Sequence, residues 1–207
     1  EVLKSKGLLP LTLKSPQIPT LAKLVGFTTG DGWIGHYYHK KRKQDVWATR
    51  FIGEKEDLIT IKQDIERLGF RCYLSQKKRY ESVVEEEDGS QRKISGESTQ
   101  MYMSSQSLTV LLHALGVPKG NKSYAPMNVP RWIKTSPLWI KRLYLAGLFG
   151  AVLSKPQQLK EEPYRFKEPG FSQNKVKEKE GDLYVFFDEI RKLLSEFGVV
   201  CTTTYRQ

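Results

Sequence analysis

The sequence predicts an α+β protein made of two copies of one helix-and-strand unit. Three observations predict it: the chain repeats itself, its apolar residues switch between helical and strand spacing within a copy, and its strands keep polar residues to one face. At 207 residues there is room for one large domain or two small ones with their own cores. The repeat favours two.

The first copy opens on a largely apolar lead-in and Leu24-Val25-Gly26-Phe27-Thr28-Thr29-Gly30-Asp31-Gly32, read as a helix over about 19–30. Strands follow near 33–39 and 46–52. From Asp57 to Leu68, Leu58, Ile61, Ile65 and Leu68 share one helical face, and Gly69 fits the left-handed position that closes a helix before a strand. Strands near 71–79 and 98–104 and a helix over 106–115 complete the copy. Glu85-Glu86-Glu87-Asp88-Gly89-Ser90, acidic and turn-rich, reads as a solvated hairpin tip.

The second copy begins at Leu145-Ala146-Gly147-Leu148-Phe149-Gly150-Ala151-Val152-Leu153, which matches the first motif in its small third and seventh residues. Asp182 to Phe197 repeats the amphipathic helix with Leu183, Phe186, Phe187, Ile190, Leu193 and Leu194. Gly198-Val199-Val200-Cys201 then keeps the Gly-to-Cys separation of Gly69-Phe70-Arg71-Cys72. At Thr204-Tyr205-Arg206-Gln207 the first copy would still have a strand and a closing helix to come, so an exposed sheet edge is expected there. Between the copies, Pro118, Pro126, Pro130 and Pro137 resist helix and central strand and predict an ordered surface linker. The organisation is an N-terminal extension over 1–18, a first unit over 19–117, a linker over 118–137 and an incomplete second unit over 138–207.

The net charge of +11 and pI near 9.5 create a field that attracts polyanions, and nucleic acid is the first partner it suggests. No apolar run is long enough to span a bilayer, and Glu1-Val2-Leu3-Lys4-Ser5-Lys6 lacks the layout of a secretion signal. A cytoplasmic protein with no membrane partner is expected. Cys72 and Cys201 offer neither a disulfide framework nor zinc spacing and read as small apolar residues. His36, His39 and His113 have no metal spacing and no nucleophile partner; His113 reads as a core or boundary residue of its apolar helix.

On a helix, Gly26 and Gly30 fall one turn apart on the same face, and so do Gly147 and Ala151 on the other. Small residues at that spacing let two backbones touch, which makes these four the expected helix interface. The residue ending each helix is then presented at the centre beside its counterpart. In the first copy it is Asp31, and a carboxylate there with the carbonyls of Gly30 and Ala151 is hard oxygen ligation that Mg2+ accepts alongside phosphate and water. An isolated Gly-Asp-Gly reads more readily as a turn.

The motif is not isolated. Its nine residues, their second copy, and the join from Leu115-Gly116-Val117-Pro118-Lys119-Gly120-Asn121-Lys122-Ser123 to Val129-Pro130-Arg131-Trp132-Ile133 together resemble the two-motif LAGLIDADG homing endonucleases, especially those borne in archaeal inteins. The resemblance covers nearly the whole chain from Pro19. It implies two pseudo-symmetric αββαββα units, each laying a curved antiparallel sheet into the major groove of double-stranded DNA. It also implies hydrolysis of both strands with Mg2+ or another divalent cation, one carboxylate per motif, and an assisting lysine whose position the residues do not fix. The internal duplication suggests a monomer.

One departure matters. The second acid's place holds Val152, which has no lone pair to offer a hard cation, so one of the two metal corners loses its side-chain ligand. Asp31 and the Val152 position are the expected catalytic pair, and the expected activity is impaired, reduced to nicking or to binding. Glu161 and Glu162 lie too far along the chain to restore the geometry.

Alternation places Arg71, Tyr73, Ser75, Lys77 and Arg79 on one strand face against Cys72 and Leu74, and Gln100, Tyr102 and Ser104 against Met101 and Met103. His39, Lys40, Lys41, Arg42 and Lys43 gather at the first hairpin turn, and Arg50 lies on the second strand. In the second copy an inward Cys201 turns Thr202, Thr204 and Arg206 outward, joined by Arg165 and Lys167. Any one such face is ordinarily just solvated. Aligned on a strongly basic chain they predict a DNA surface on which Lys and Arg hold phosphates while Gln, Ser, Thr and some Arg read base edges.

Two functions remain open at this point: a site-specific endonuclease, and a DNA-binding module that has lost chemistry, such as a maturase or regulator. Protein splicing needs a nucleophile at the first residue and Asn before the exit junction, and Glu1 and Gln207 supply neither. The chain is therefore expected to be the endonuclease portion of an intein or host protein, with Glu1 to Gln17 a remnant of the connection.

Overall fold

The computed structural model describes residues 1–41, 43–75, 78–85, 91–154, 156–162 and 164–204, with backbone alone at 78–80, 82, 84, 85, 92 and 94. The elements are α1 (Val2–Ser5), α2 (Ile18–Asp31), β1 (Gly32–His39), β2 (Gln44–Gly53), α3 (Lys55–Arg67), β3 (Cys72–Leu74), β4 (Lys78–Glu85), β5 (Gln91–Met103), α4 (Gln106–Ala114), α5 (Arg131–Lys134), α6 (Leu138–Val152) and α7 (Glu180–Ser195). The fold is α+β, as the periodicities predict.

The strands form an antiparallel sheet in the order β1-β2-β5-β3, and β4 continues as a hairpin on β5. Its inner face contributes Ile34, Phe51, Met101 and Met103 to a core shared with Leu21, Leu24 and Val25 of α2, Leu58, Ile61 and Ile65 of α3, and Leu108 and Leu112 of α4. Several polar groups inside this core are paired, although the buried Tyr144 hydroxyl has no hydrogen-bond partner among the described residues. The Thr49 and Thr109 hydroxyls meet at 2.9 Å, and Thr28 and Thr29 donate back to the carbonyls of Leu24 and Val25. Buried Asp64 takes Lys23 at 2.6 Å and Arg67 at 2.9 Å, which ties α2 to α3.

Helix ends follow local chemistry. The Ser105 hydroxyl accepts from the Leu108 amide and starts α4. Gly69 and Gly198, at φ +80° and +76°, close α3 and α7 with the same pair of bonds: Gly69 N–H to Glu66 and Phe70 N–H to Ile65, then Gly198 N–H to Ser195 and Val199 N–H to Leu194. The matching caps are the clearest structural echo of the repeat.

The N-terminal extension packs against the first half: Leu8 is fully buried, and Lys6 donates to the Gly69 carbonyl with its ammonium 5.0 Å from the Phe70 ring centroid. One feature differs from the sequence reading. In the second half, the described residues hold two isolated bridges, Leu153 to Phe171 and Gln158 to Phe166, where a second curved sheet was expected. Residues 199–204 are not in a strand, so the expected sheet edge is not formed there. The cause is pairing. Pro156 and Pro169 bring no N–H to a ladder, and among the described residues of the second half no strand does what β5 does in the first, joining β2 to β3. What holds this region is a small aromatic cluster in which Phe171 meets Phe149, Phe186 and Phe187.

Candidate functional site

Helices α2 and α6 pack backbone to backbone. A Cβ on Gly26 would lie 2.1 Å from the Tyr144 carbonyl oxygen, and one on Gly147 would lie 2.1 Å from that of Lys23. Tyr144 precedes Gly147 by the same three residues as Lys23 precedes Gly26, so the contact is twofold-like. One turn on, a Cβ on Gly30 would meet the Ala151 Cβ at 2.7 Å and Val152 Cγ1 at 3.0 Å. Gly26, Gly30, Gly147 and Ala151 are thus brought together, and α2 and α6 end side by side at Asp31 and Val152.

Two adjacent helix C-termini present carbonyls that lack helical partners in a following turn, and the negative ends of two dipoles. Neither helix has a basic residue in its last turn. The cation comes instead from far along the chain: Lys122 Nζ donates to the Gly30 carbonyl at 2.5 Å. Its segment is pinned to the edge of β1, where the Gly120 amide donates to the Ile34 carbonyl at 2.7 Å. Burial pushes the Asp31 carboxyl up to about 6, outweighing the attraction of Lys122, and nearby Asp57 adds to the rise. Burial likewise brings the Lys122 ammonium down to about 8, against the pull of Asp31.

Whether these groups suit a divalent cation is decided side by side. At Asp31 a half-buried carboxylate stands beside the carbonyls of the helix ends, a hard-oxygen set that fits one Mg2+ if phosphate and water complete the shell. At Val152 the ligand position is a methyl group packed against the core, and it does not fit. Among the described residues no cluster of three or more His, Cys, Asp or Glu side chains could hold a metal, so most ligands would have to come from the substrate and water.

Beginning two residues after Asp31, one row of paired residues crosses the outer face of the sheet: Trp33, Arg50, Tyr102 and Tyr73 on β1, β2, β5 and β3. The Arg50 guanidinium lies between the Trp33 ring at 5.7 Å and the Tyr102 ring at 5.2 Å, a geometry in which cation–π attraction holds it. The Trp33 indole lies across Gly35, where a Cβ would come within 2.2 Å of it. The Tyr102 hydroxyl donates to the Gln100 side-chain oxygen. At the sheet's end His39 stacks on Tyr37, and Lys41 and Lys43 are exposed in the turn. Arg71 is exposed just before β3.

Other expected residues fall elsewhere. Leu74 pairs with Met101 but Lys78 pairs with Ser98, a one-residue step that breaks the alternation counted from Arg71. Ser75 therefore turns its hydroxyl to the ladder, accepting from the Gln100 amide at 3.2 Å, and Arg79 stands opposite Glu97 in register. Lys77 and Arg206 lie outside the described residues. Arg165 and Lys167 are exposed on a loop, the former paired with Glu162 at 2.8 Å, and Thr202 and Thr204 are exposed on irregular chain. These second-half residues are not on a common sheet face with Arg50, because among the described residues no strand of the second half aligns them. Lys122 and Trp33 were missed. The only sign of Lys122 in the sequence is a basic residue in a polar turn between prolines, and its meaning depends on the linker returning over β1.

No family model matches the chain. It is 36% identical over 203 residues to the tRNA-splicing ligase RtcB of Methanopyrus kandleri, covering 97% of this chain and 19% of that protein. It is 34% identical over 197 residues to the DNA-directed RNA polymerase subunit Rpo1N of Methanocaldococcus jannaschii, covering 95% of this chain and 14% of that protein. The chain thus spans about a fifth or less of the length of these curated relatives. Among solved structures it resembles the homing endonuclease I-WcaI bound to its DNA recognition sequence, with a TM-score of 0.51 and 16% identity, over 98% of this chain and 83% of that one. The fold is that of a homing endonuclease. No helix among the described residues is long and apolar enough to cross a membrane.

Proposed function

We propose that this chain is a LAGLIDADG-type DNA endonuclease segment carried inside a host protein, with its two units at 19–117 and 138–207 joined by the 118–137 linker. It acts as a monomer on double-stranded DNA, and Val152 limits it to cutting one strand. The observation that carries the reading is the glycine-lined contact of α2 and α6, which leaves Asp31, Val152 and Lys122 around one point next to an exposed basic and aromatic sheet face. Embedding is supported by the relatives. One segment of about 200 residues recurs within a ligase and a polymerase subunit that share no function, at a small fraction of each length, as expected of an insert independent of its host.

In this reading Asp31 must be ionised to hold a cation, which its raised pKa sets above about pH 6. The cation, when bound, supplies Lewis-acid polarisation of the phosphate and an activated water. Lys122 holds a positive charge where phosphate charge develops, in a site already built before substrate arrives. Arg50, Tyr73, Gln100, Tyr102, Arg71, His39, Lys41 and Lys43 contact the duplex, with Arg50 on a base edge and the exposed lysines on phosphates. Arg165, Lys167, Thr202 and Thr204 extend the contact along the second half.

A binding-only module is favoured by one specific observation, the apolar packing of Val152 at the second ligand position. The two readings separate in a plasmid assay. A duplex selected by the chain from a randomised pool is cloned into supercoiled DNA and incubated with Mg2+. Open circles formed by the natural chain and absent with Asp31→Asn support the nuclease; equal binding by both with no open circles from either leaves a binding module.

A further inference from the structure

We propose that Lys175 is a positioning residue for Lys122, through which the second half of the chain holds this ammonium over the paired helix ends. Its catalytic consequence rests on the endonuclease reading above, whereas its geometry stands on hydrogen bonds alone.

The turn over 121–125 is gripped from two sides. On the first half, Gly120 N–H bonds the Ile34 carbonyl and Lys122 Nζ bonds that of Gly30. On the second half, Lys175 Nζ donates to the backbone carbonyls of Lys122, at 2.5 Å, and Ala125, and the Val176 amide donates to the Ser123 carbonyl at 3.1 Å. Inside the turn Asn121 organises the rest: its side-chain oxygen accepts from the Ser123 amide at 2.9 Å, and its carbonyl accepts from Tyr124 and Ala125. The carbonyls of residues 122, 123 and 125 are thus all satisfied from Lys175 and Val176. Without Lys175 the two carbonyls it bonds would have to find water, and the second half would hold the turn by the Val176 amide alone.

Placing an ammonium there has a cost. Partial burial lowers the Lys175 pKa, countered by Asp182, with Lys179 adding to the fall, and a partly desolvated cation is favoured where it is well bonded. Its bonds go to the backbone of the residue whose side chain reaches Gly30. A shift of the turn by about 1 Å would take Lys122 off the helix ends, and misplacement on that scale costs on the order of a hundredfold in rate. The second half, which supplies no acid at Val152, would on this view still contribute to the site by holding the first half's lysine.

Two measurements test this. In the DNA-free protein, the Lys122 side-chain ammonium resonance, assigned by its loss in Lys122→Met, is expected to move toward that of an exposed lysine in Lys175→Met and to return in Lys175→Arg, which keeps both charge and donors. A resonance unmoved by Lys175→Met overturns the positioning role whether or not the chain cuts DNA. In single-turnover nicking of the selected duplex at saturating protein, Lys175→Met is expected to slow the rate by roughly ten- to a hundredfold, with Lys175→Arg recovering most of it. In the Lys122→Met background the same change is expected to have no further effect. Multiplying losses would show that Lys175 acts independently of Lys122 and overturn the proposal. A natural chain that binds the duplex and never nicks it refutes the endonuclease reading and the catalytic consequence together, while the resonance still decides the geometry.

Discussion

Gly26→Ala adds one methyl group where α2 meets α6, and the structure sets its consequence. The new Cβ would lie 2.1 Å from the Tyr144 oxygen and 2.9 Å from the Leu148 nitrogen. Both are backbone atoms in a helix, so neither can rotate away, and the helices must part by more than an ångström. Overpacking of a core costs about 1–3 kcal/mol, and parting also uncovers Phe27, Tyr144 and Leu148, now buried at the contact, at about 25 cal/mol per Å². Alanine returns about 1 kcal/mol of helix propensity. With about 80 Å² uncovered, or about 2 kcal/mol at that rate, the net loss is about 2–4 kcal/mol, or roughly 4–16 °C in Tm for a chain of this size. Gly150→Ala is the control: it lies on α6 with nothing within 4 Å of its Cβ position, so only the propensity gain applies. Thermal unfolding followed by circular dichroism measures both. If Gly26→Ala is as harmless as Gly150→Ala, the helices do not touch as described and the site at their ends has no basis.

Further expectations follow from the same geometry. Because Asp31 binds its proton more tightly folded, at about 6, than at its ordinary 3.8, its contribution favours the fold below the ordinary value and is lost as pH rises through about 6. Asp31→Asn should therefore raise Tm more at pH 8 than at pH 4.5, and an equal shift at both would contradict the burial of this carboxyl. Arg50→Ala should relax the preference for one base pair near the cleavage centre by about 1–3 kcal/mol, read from the duplexes each version selects. A uniform loss across all sequences would make Arg50 a phosphate contact. Lys41→Ala should do the latter, weakening every duplex alike and reducing the salt slope by about one; a change confined to one base pair would refute that role.

The parts of the fold that were legible are those where one local signal decides. Leu58, Ile61 and Ile65 mark α3, Gly69 its end, and Cys72, Met101 and Met103 the inner face of the sheet; each is an apolar period or a turn residue acting within a few positions. Gly26 and Gly147 were readable as a close contact because only small residues permit one. What could not be read depends on partners distant in sequence. Alternation through Arg71 to Arg79 assumes an unbroken ladder, and the step between Leu74 and Lys78 is set by β5. Thr202 and Thr204 alternate as a strand would, but a strand needs a neighbour to bond. Lys122 reaches Gly30 across 92 positions, a link no window of sequence contains. The Trp33–Arg50–Tyr102 stack likewise exists only once the strand registers are known.

Restoring the missing acid tests the paired helix ends as a cleavage centre. Val152→Asp, close to isosteric, is compared with the natural chain on supercoiled plasmid carrying the selected duplex, with Mg2+. Open circles are expected from the natural chain and linear DNA from the variant, since two carboxylates would then flank the one point where α2 and α6 end. Linear DNA from the natural chain, or only open circles from a folded Val152→Asp chain, would contradict this cleavage centre.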